Sequence, residues 1–245
     1  MLSSCDISRF KKMRHILVIG AGRSASSLIK YLLDHSEEQN LHITIGDLSE
    51  DLAKQKTNNH KNARAIAFDI FNEAQRKEEI SKADIVVSML PAHLHLEVAK
   101  DCITHKKHMV TASYISPAMQ ELDKAAKENN LVFMNEIGLD PGIDHMSAMK
   151  VLDEIRDKGG KILLFESFCG GLVAPESDTN LWNYKFTWNP RNVVLAGQGG
   201  AAKFIQEGTY KYIPYTKLFR RTEFLEVEGY GRFEAYANRD SLKYR

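Results

Sequence analysis

Asn135-Glu136-Ile137-Gly138-Leu139-Asp140-Pro141-Gly142-Ile143-Asp144-His145 brings three carboxylates and an imidazole within ten residues. Ordering so many ionisable groups is costly unless they meet a ligand, and a helix N-cap would need only one of them. Pro141 fixes the backbone, and Gly142 permits a turn that other residues resist. An apolar strand at 131–134 runs into the segment and an amphipathic helix at 146–155 runs out of it. The turn therefore falls at the carboxyl edge of a sheet, where open α/β folds bind their ligands.

A second chemical signal stands near the start of the chain. Gly20-Ala21-Gly22-Arg23-Ser24-Ala25 follows one strand and opens a helix. Gly20 allows a tight turn and Gly22 lets the backbone approach a pyrophosphate. Ala25 replaces the third glycine where helix packs on strand, and the N–H groups around Ala21, Arg23 and Ser24 offer an anion site. Asp47 ends the second strand, and a carboxylate there accepts hydrogen bonds from the ribose hydroxyls of NAD. It would repel the 2′-phosphate of NADP, and no Arg or Lys lies within three residues to offset it. NAD is therefore the expected cofactor and NADP the less favoured one, with a helix cap as the alternative role for Asp47. Asp69 and Ile70 end the third strand, where an adenine edge is often held; a solvated strand terminus is the alternative. Leu90-Pro91 ends the fourth, at a position that packs on a cofactor near its pyrophosphate. His93 and His95 follow without a third partner, so no metal is expected.

These residues need a sheet to line them up. Strand candidates at 15–19, 42–46, 63–68, 84–90, 108–112 and 131–135 alternate with helix candidates at 25–35, 51–55, 72–81, 94–106 and 117–129. Such alternation implies right-handed crossovers and a doubly wound parallel sheet of the Rossmann type. After the helix near 146–157 the pattern changes. A strand at 161–169, a Gly-, Pro- and aromatic-rich loop at 170–190, a helix near 193–207 and strands at 210–219 and 224–237 suggest an incomplete α+β second domain. The expected division is a lead-in at 1–13, a dinucleotide domain at 14–140 and a substrate domain at 141–245.

Composition narrows the class. With 245 residues, 43% hydrophobic and 27% charged, the chain has the make-up of an ordinary globular protein. A net charge of +1 gives no reason to expect nucleic acid or a membrane surface as partner. No apolar run approaches the roughly 20 residues that span a bilayer. Residues 1–14 lack an apolar signal core, and Cys5, Cys102 and Cys169 have no metal-ligand spacing. The cytoplasm is the expected compartment and a small molecule the expected partner, with a homodimer as the expected assembly.

Five motifs occur in one order: Thr111-Ala112-Ser113-Tyr114-Ile115-Ser116-Pro117-Ala118, the 135–145 segment, Cys169-Gly170-Gly171-Leu172 with Ala174-Pro175-Glu176, Tyr184-Lys185-Phe186-Thr187-Trp188, and Asn238-Arg239-Asp240-Ser241. Together they closely resemble saccharopine dehydrogenase of the glutamate-forming type. That family condenses 2-aminoadipate 6-semialdehyde with glutamate and reduces the resulting imine by hydride from a nicotinamide, or runs the reverse.

The resemblance implies roles. Ala112, Ser113 and Tyr114 lie by the nicotinamide pocket, where the Ser113–Tyr114 pair contacts saccharopine and cofactor and Tyr114 can relay a proton. Capping of the next helix is its alternative role. Leu139, Asp140 and Pro141 touch the cofactor, and Asp140 also reaches the substrate amine, where a carboxylate stabilises an iminium. Cys169 stands near the reacting nitrogen as a proton carrier, an inert buried cysteine being the alternative. Trp188 walls the pocket. Arg239 holds a substrate carboxylate through its two-pronged guanidinium, or else pairs with Asp240 on the surface. Two departures stand out. NADP-using fungal members carry an arginine near Gly46-Asp47-Leu48, and the family continues beyond Asn-Arg-Asp-Ser to a Thr-Leu-Arg substrate segment, so a truncated chain is expected. A carboxynorspermidine-type dehydrogenase and a catalytically inactive NAD-binding copy are the competing readings.

Overall fold

The computed structural model describes residues 13–196 and 200–242; the lead-in, Met13 apart, lies outside them. The chain divides into two compact units, residues 1–142 and 143–245.

The first unit runs β1 (Arg14–Ile19), α1 (Ser26–Asp34), α2 (Ser36–Gln39), β2 (Leu41–Asp47), α3 (Glu50–Thr57), β3 (Ala63–Ala67), α4 (Glu73–Lys82), β4 (Ile85–Ser88), α5 (His95–Thr104), β5 (His108–Thr111), α6 (Pro117–Gln120), α7 (Asp123–Glu128) and β6 (Phe133–Met134). All six strands pair in parallel, in the order β3-β2-β1-β4-β5-β6. The order reverses between β1 and β4, and at that reversal the crossovers leave to opposite faces of the sheet. Alternation along β1 serves both faces. Leu17 and Ile19 pack with Ile80, Val86, Val98 and Met109, while Ile16 and Val18 pack with Ile29, Ile43 and Ile45. Two of the crossovers carry clear start signals. Ser49 and Asn72 cap α3 and α4 by accepting from the N–H groups of Leu52 and Gln75. Asn58 closes α3 in the left-handed conformation.

The second unit opens with α8 (Ile143–Asp157) and continues through α9 (Pro190–Ala196), β7 (Ala202–Gln206), β8 (Thr209–Ile213), α10 (Tyr215–Leu218), β9 (Thr222–Val227) and β10 (Gly231–Tyr236). Two antiparallel hairpins, β7–β8 and β9–β10, replace the longer strands expected here. Glu207 and Gly208 both have positive φ, the requirement of a two-residue type I′ turn. Pro214 ends β8, since it has no N–H to continue a ladder. Residues 161–169 form no strand, contrary to expectation. Strands exist by ladder pairing, and among the described residues no β-ladder includes this segment, in which Leu163 and Leu164 are exposed. The helix expected at 193–207 ends at Ala196, before the glycines at 197, 199 and 200, and the chain re-enters as β7. Among the described residues no helix is long and apolar enough to cross a membrane.

Candidate functional site

The carboxyl edge of the parallel sheet collects the turns that the sequence singled out. Gly20 has φ +105°, and a Cβ there would crowd the Met89 carbonyl at 3.0 Å, so only glycine fits. Its N–H donates to Gly46 O at 2.7 Å. Ala21 is fully buried and its N–H donates to Asp47 Oδ2 at 2.8 Å, while Asp47 Oδ1 accepts from Ser49 N at 3.0 Å. Asp47 therefore clamps the glycine turn to the end of β2. Capping of α3 falls to Ser49 instead. Gly22, Arg23 and Ser24 are exposed, and a Cβ on Gly22 would meet no protein atom within 4 Å. That open backbone at a helical start is a cradle into which a pyrophosphate fits. Lys56 Nζ donates to Ser26 Oγ at 2.7 Å, which sets a cation against the first turn of α1.

Asp69 is used locally: its Oδ1 accepts from Phe71 N at 2.9 Å in a side-chain turn. Ile70 was expected on the ligand side, but its side chain is buried in the core, so only its backbone lies at the edge. That backbone is anchored by Arg76, which donates to Ile70 O at 2.6 Å and to Asp101 Oδ2 at 2.5 Å, both charged side chains being buried. Leu90 leans partly on the same core, and Pro91 is exposed.

Beyond β5 and β6 the groups are those of proton chemistry. The exposed Tyr114 hydroxyl donates to Asp140 Oδ1 at 2.8 Å. The turn that presents Asp140 is closed on itself. Gly138 N donates to Pro141 O at 2.8 Å, and a Cβ on Gly142, at φ +151°, would fall onto the Gly138 backbone. Glu136 ties this turn to the neighbouring one, accepting from Ile115 N at 2.9 Å and donating its own N–H to Ser113 O at 3.1 Å. One acid of the cluster therefore holds backbone while another faces outward. Leu139 is exposed and Ala112 lies against Gly138. A phenol hydrogen-bonded to a carboxylate at an open edge can exchange a proton and favour a cationic nitrogen nearby.

One group in this edge escaped the sequence. His95, expected only to open a helix, is buried, with Nδ1 at 2.8 Å from Ser88 Oγ and Nε2 at 2.7 Å from Ser113 Oγ and 3.2 Å from Thr111 Oγ1. Burial, and secondarily the charge of His93, push its pKa down to about 4. The signal available was a histidine seven residues after a serine that ends a strand, which carries no meaning until the strands are paired.

Cys169, Trp188 and Arg239 belong to the second unit. Cys169 is exposed, in contrast to Cys102, whose thiol is pushed up to about 12 by burial and then by Asp101. Trp188 is also exposed. Arg239 lies beside β7: its carbonyl accepts from Lys203 N at 3.1 Å and its N–H donates to Asn238 Oδ1 at 2.7 Å. Asp240 Oδ1 accepts from Leu242 N at 3.0 Å.

Comparison with known proteins adds an independent line. Residues 16–134 match the family model described as the saccharopine dehydrogenase NADP binding domain. Residues 138–245 match the one described as the saccharopine dehydrogenase C-terminal domain. Saccharopine dehydrogenase (NADP(+), L-glutamate-forming) of Schizosaccharomyces pombe is 39% identical over 234 residues, 95% of this chain and 51% of that protein. The protein of the same name from Pyricularia oryzae is 38% identical over 232 residues, 95% of this chain and 50% of that protein. Apo histidine-tagged saccharopine dehydrogenase (L-Glu forming) from Saccharomyces cerevisiae superposes with a TM-score of 0.84 at 33% identity, over 94% of this chain and 51% of that one. The chain spans about half the length of these relatives. With one family model over residues 16–134, its companion over residues 138–245 and a superposition at a TM-score of 0.84, the chain belongs to the saccharopine dehydrogenase family.

Proposed function

We propose that this chain interconverts saccharopine with glutamate and 2-aminoadipate 6-semialdehyde, using a nicotinamide dinucleotide bound along the carboxyl edge of its parallel sheet. The observation that carries this reading is the Tyr114–Asp140 pair at 2.8 Å, set two and three strands from the glycine turn in a chain of this family. The dinucleotide, when bound, would accept the hydride in saccharopine oxidation and supply it in the reverse reduction. Gly22 and the N–H groups of the following turn receive its pyrophosphate. Asp140 favours positive charge on the substrate nitrogen, and Tyr114 Oη holds or releases the proton. Cys169 is proposed to exchange a proton at that nitrogen and Arg239 to hold a substrate carboxylate.

For the cofactor we favour NADP(H) over the NAD expected from Asp47. The two fungal relatives above are named for NADP(+). Both oxygens of Asp47 already accept backbone N–H groups, which offset part of its charge. Arg23, exposed in the glycine turn, and Lys56 supply the cations that a 2′-phosphate needs. The test is saccharopine-dependent formation of NADPH or NADH, followed by absorbance at saturating saccharopine. Turnover with NADP(+) supports the reading in full. Turnover with NAD alone overturns the cofactor choice, and no turnover with either overturns the activity.

A further inference from the structure

We infer that His95 is a positioning residue that holds the Ser113 hydroxyl in one orientation at the ligand edge. The inference rests on the reading that this edge binds the dinucleotide and saccharopine.

Ser88, Thr111 and Ser113 come from the carboxyl ends of β4 and β5 and converge on one imidazole at the start of α5. Ser88, Thr111 and His95 are buried, whereas Ser113 is half-buried and directly precedes the exposed Tyr114. The network thus runs from the core out to the edge and ends there. Packing alone would be met by an apolar side chain of similar volume, without the cost of burying three polar side chains.

The inferred tautomer has Ser88 donating its hydroxyl proton to His95 Nδ1 at 2.8 Å and Nε2 carrying the ring proton. That N–H then reaches Ser113 Oγ, with Thr111 Oγ1 as a longer second acceptor. Ser113 is left with its own O–H directed outward, as a donor suited to a carboxylate or a carboxamide oxygen. Its backbone has no freedom to turn away: Ser113 N donates to Thr111 Oγ1 at 3.3 Å, and Ser113 O accepts from Glu136 N at 3.1 Å. A neutral imidazole is required throughout, and burial keeps it so at physiological pH.

The test is a double-mutant cycle on the full chain. His95→Asn is too short to reach Ser113, His95→Gln can restore that contact, and Ser113→Ala removes its target. NADPH affinity is read by fluorescence titration, saccharopine KM and kcat by turnover, and folding by thermal melting. Ser113→Ala and His95→Asn are each expected to weaken ligand binding by about three- to tenfold, the worth of one hydrogen bond. The double variant should be no weaker than Ser113→Ala alone, and His95→Gln should recover most of the loss. Additive losses in folded proteins, no rescue by glutamine, or no effect of Ser113→Ala on either ligand would each overturn the inference. If His95→Asn fails to fold, Ser88→Ala takes its place in the cycle, with a smaller loss that vanishes in the Ser113→Ala background. If the unaltered chain binds NADPH without turning over saccharopine, the activity fails as a reading while the NADPH titrations still decide the role of His95.

Discussion

The hydroxyl of Tyr114 and the carboxylate of Asp140 meet at 2.8 Å although 26 residues separate them, because β5 and β6 are neighbours in the sheet. Each residue sits on the turn that leaves its strand, and Glu136 stitches the two turns together. Tyr114→Phe and Asp140→Asn should therefore each lower kcat by about a hundredfold or more, the usual worth of a placed proton-transfer group. NADPH affinity should change little. Steady-state kinetics beside a binding titration checks this; an unchanged kcat in either variant would exclude a role in proton transfer.

Asp47→Ala separates two accounts of one carboxylate. If Asp47 only selected the ribose, its loss would improve NADP binding. Because it also accepts from Ala21 N and Ser49 N, its removal leaves a buried N–H without its partner and loosens the glycine turn. Affinity for both NADH and NADPH should fall, and titration of each against the variant measures it. A gain for NADPH alone would mean that the clamp is dispensable.

Two glycines of the edge should respond in opposite ways. Gly142→Ala forces a side chain onto the Gly138 backbone at a φ that only glycine tolerates, so the melting temperature should drop by several degrees. Gly22→Ala meets no protein atom, so the melt should hold while dinucleotide binding weakens at least tenfold. Calorimetry and fluorescence titration on the same two samples distinguish them.

Arg76 pins the turn that follows β3. Arg76→Ala strands Asp101 as an unpaired buried charge and frees the Ile70 carbonyl, for an expected loss of about 3–5 kcal/mol. Urea unfolding measures it. Arg76→Met, with the partner change Asp101→Leu, should recover much of that stability, because a packed apolar pair replaces an ion pair well.

His95 makes stability depend on pH with a definite sign. Its folded pKa of about 4 lies below the ordinary value of 6.5, so the unfolded chain binds the proton more readily. Stability is complete above pH 6.5 and is lost as pH falls towards 4, by up to about 3 kcal/mol at roughly 1.4 kcal/mol per pH unit. His42, lowered chiefly by burial and then by His15 and Arg64, acts in the same direction. Urea midpoints between pH 4.5 and 7 should rise with pH in the parent protein and rise less steeply in His95→Gln.

The parallel sheet could be read from the chain because its information is local. Ile16 to Ile19 is a short apolar run between helical patterns, residues 41–45 alternate buried apolar side chains with Thr44 and His42, and helices such as α3 and α4 carry their own caps in Ser49 and Asn72. The glycine turn and the placement of Asp140 follow from the same rhythm. The second unit resisted because residues 161–169 have strand composition yet join no β-ladder among the described residues. The turn at Glu207-Gly208 stayed hidden because β7, at Ala202–Gln206, lies inside the stretch expected to be a helix over 193–207. His95 resisted for a different reason. Its meaning depends on Ser88, Thr111 and Ser113 meeting in space, and no spacing along the chain encodes that convergence.

The strand order β1-β4-β5-β6 makes the edge a ruler. Strands stand about 4.8 Å apart, so the glycine turn after β1 lies roughly 10 Å from the β5 turn and roughly 14 Å from the β6 turn. A molecule anchored by one phosphate at Gly22 must bridge those two or three strand spacings before it can be presented to Tyr114 and Asp140. Of a dinucleotide held there by its pyrophosphate, one half would reach along β4 towards those turns while the other pointed back towards β2 and β3. The reversal of strand order beside β1 thus gives such a ligand a separate stretch of edge for each of its heads.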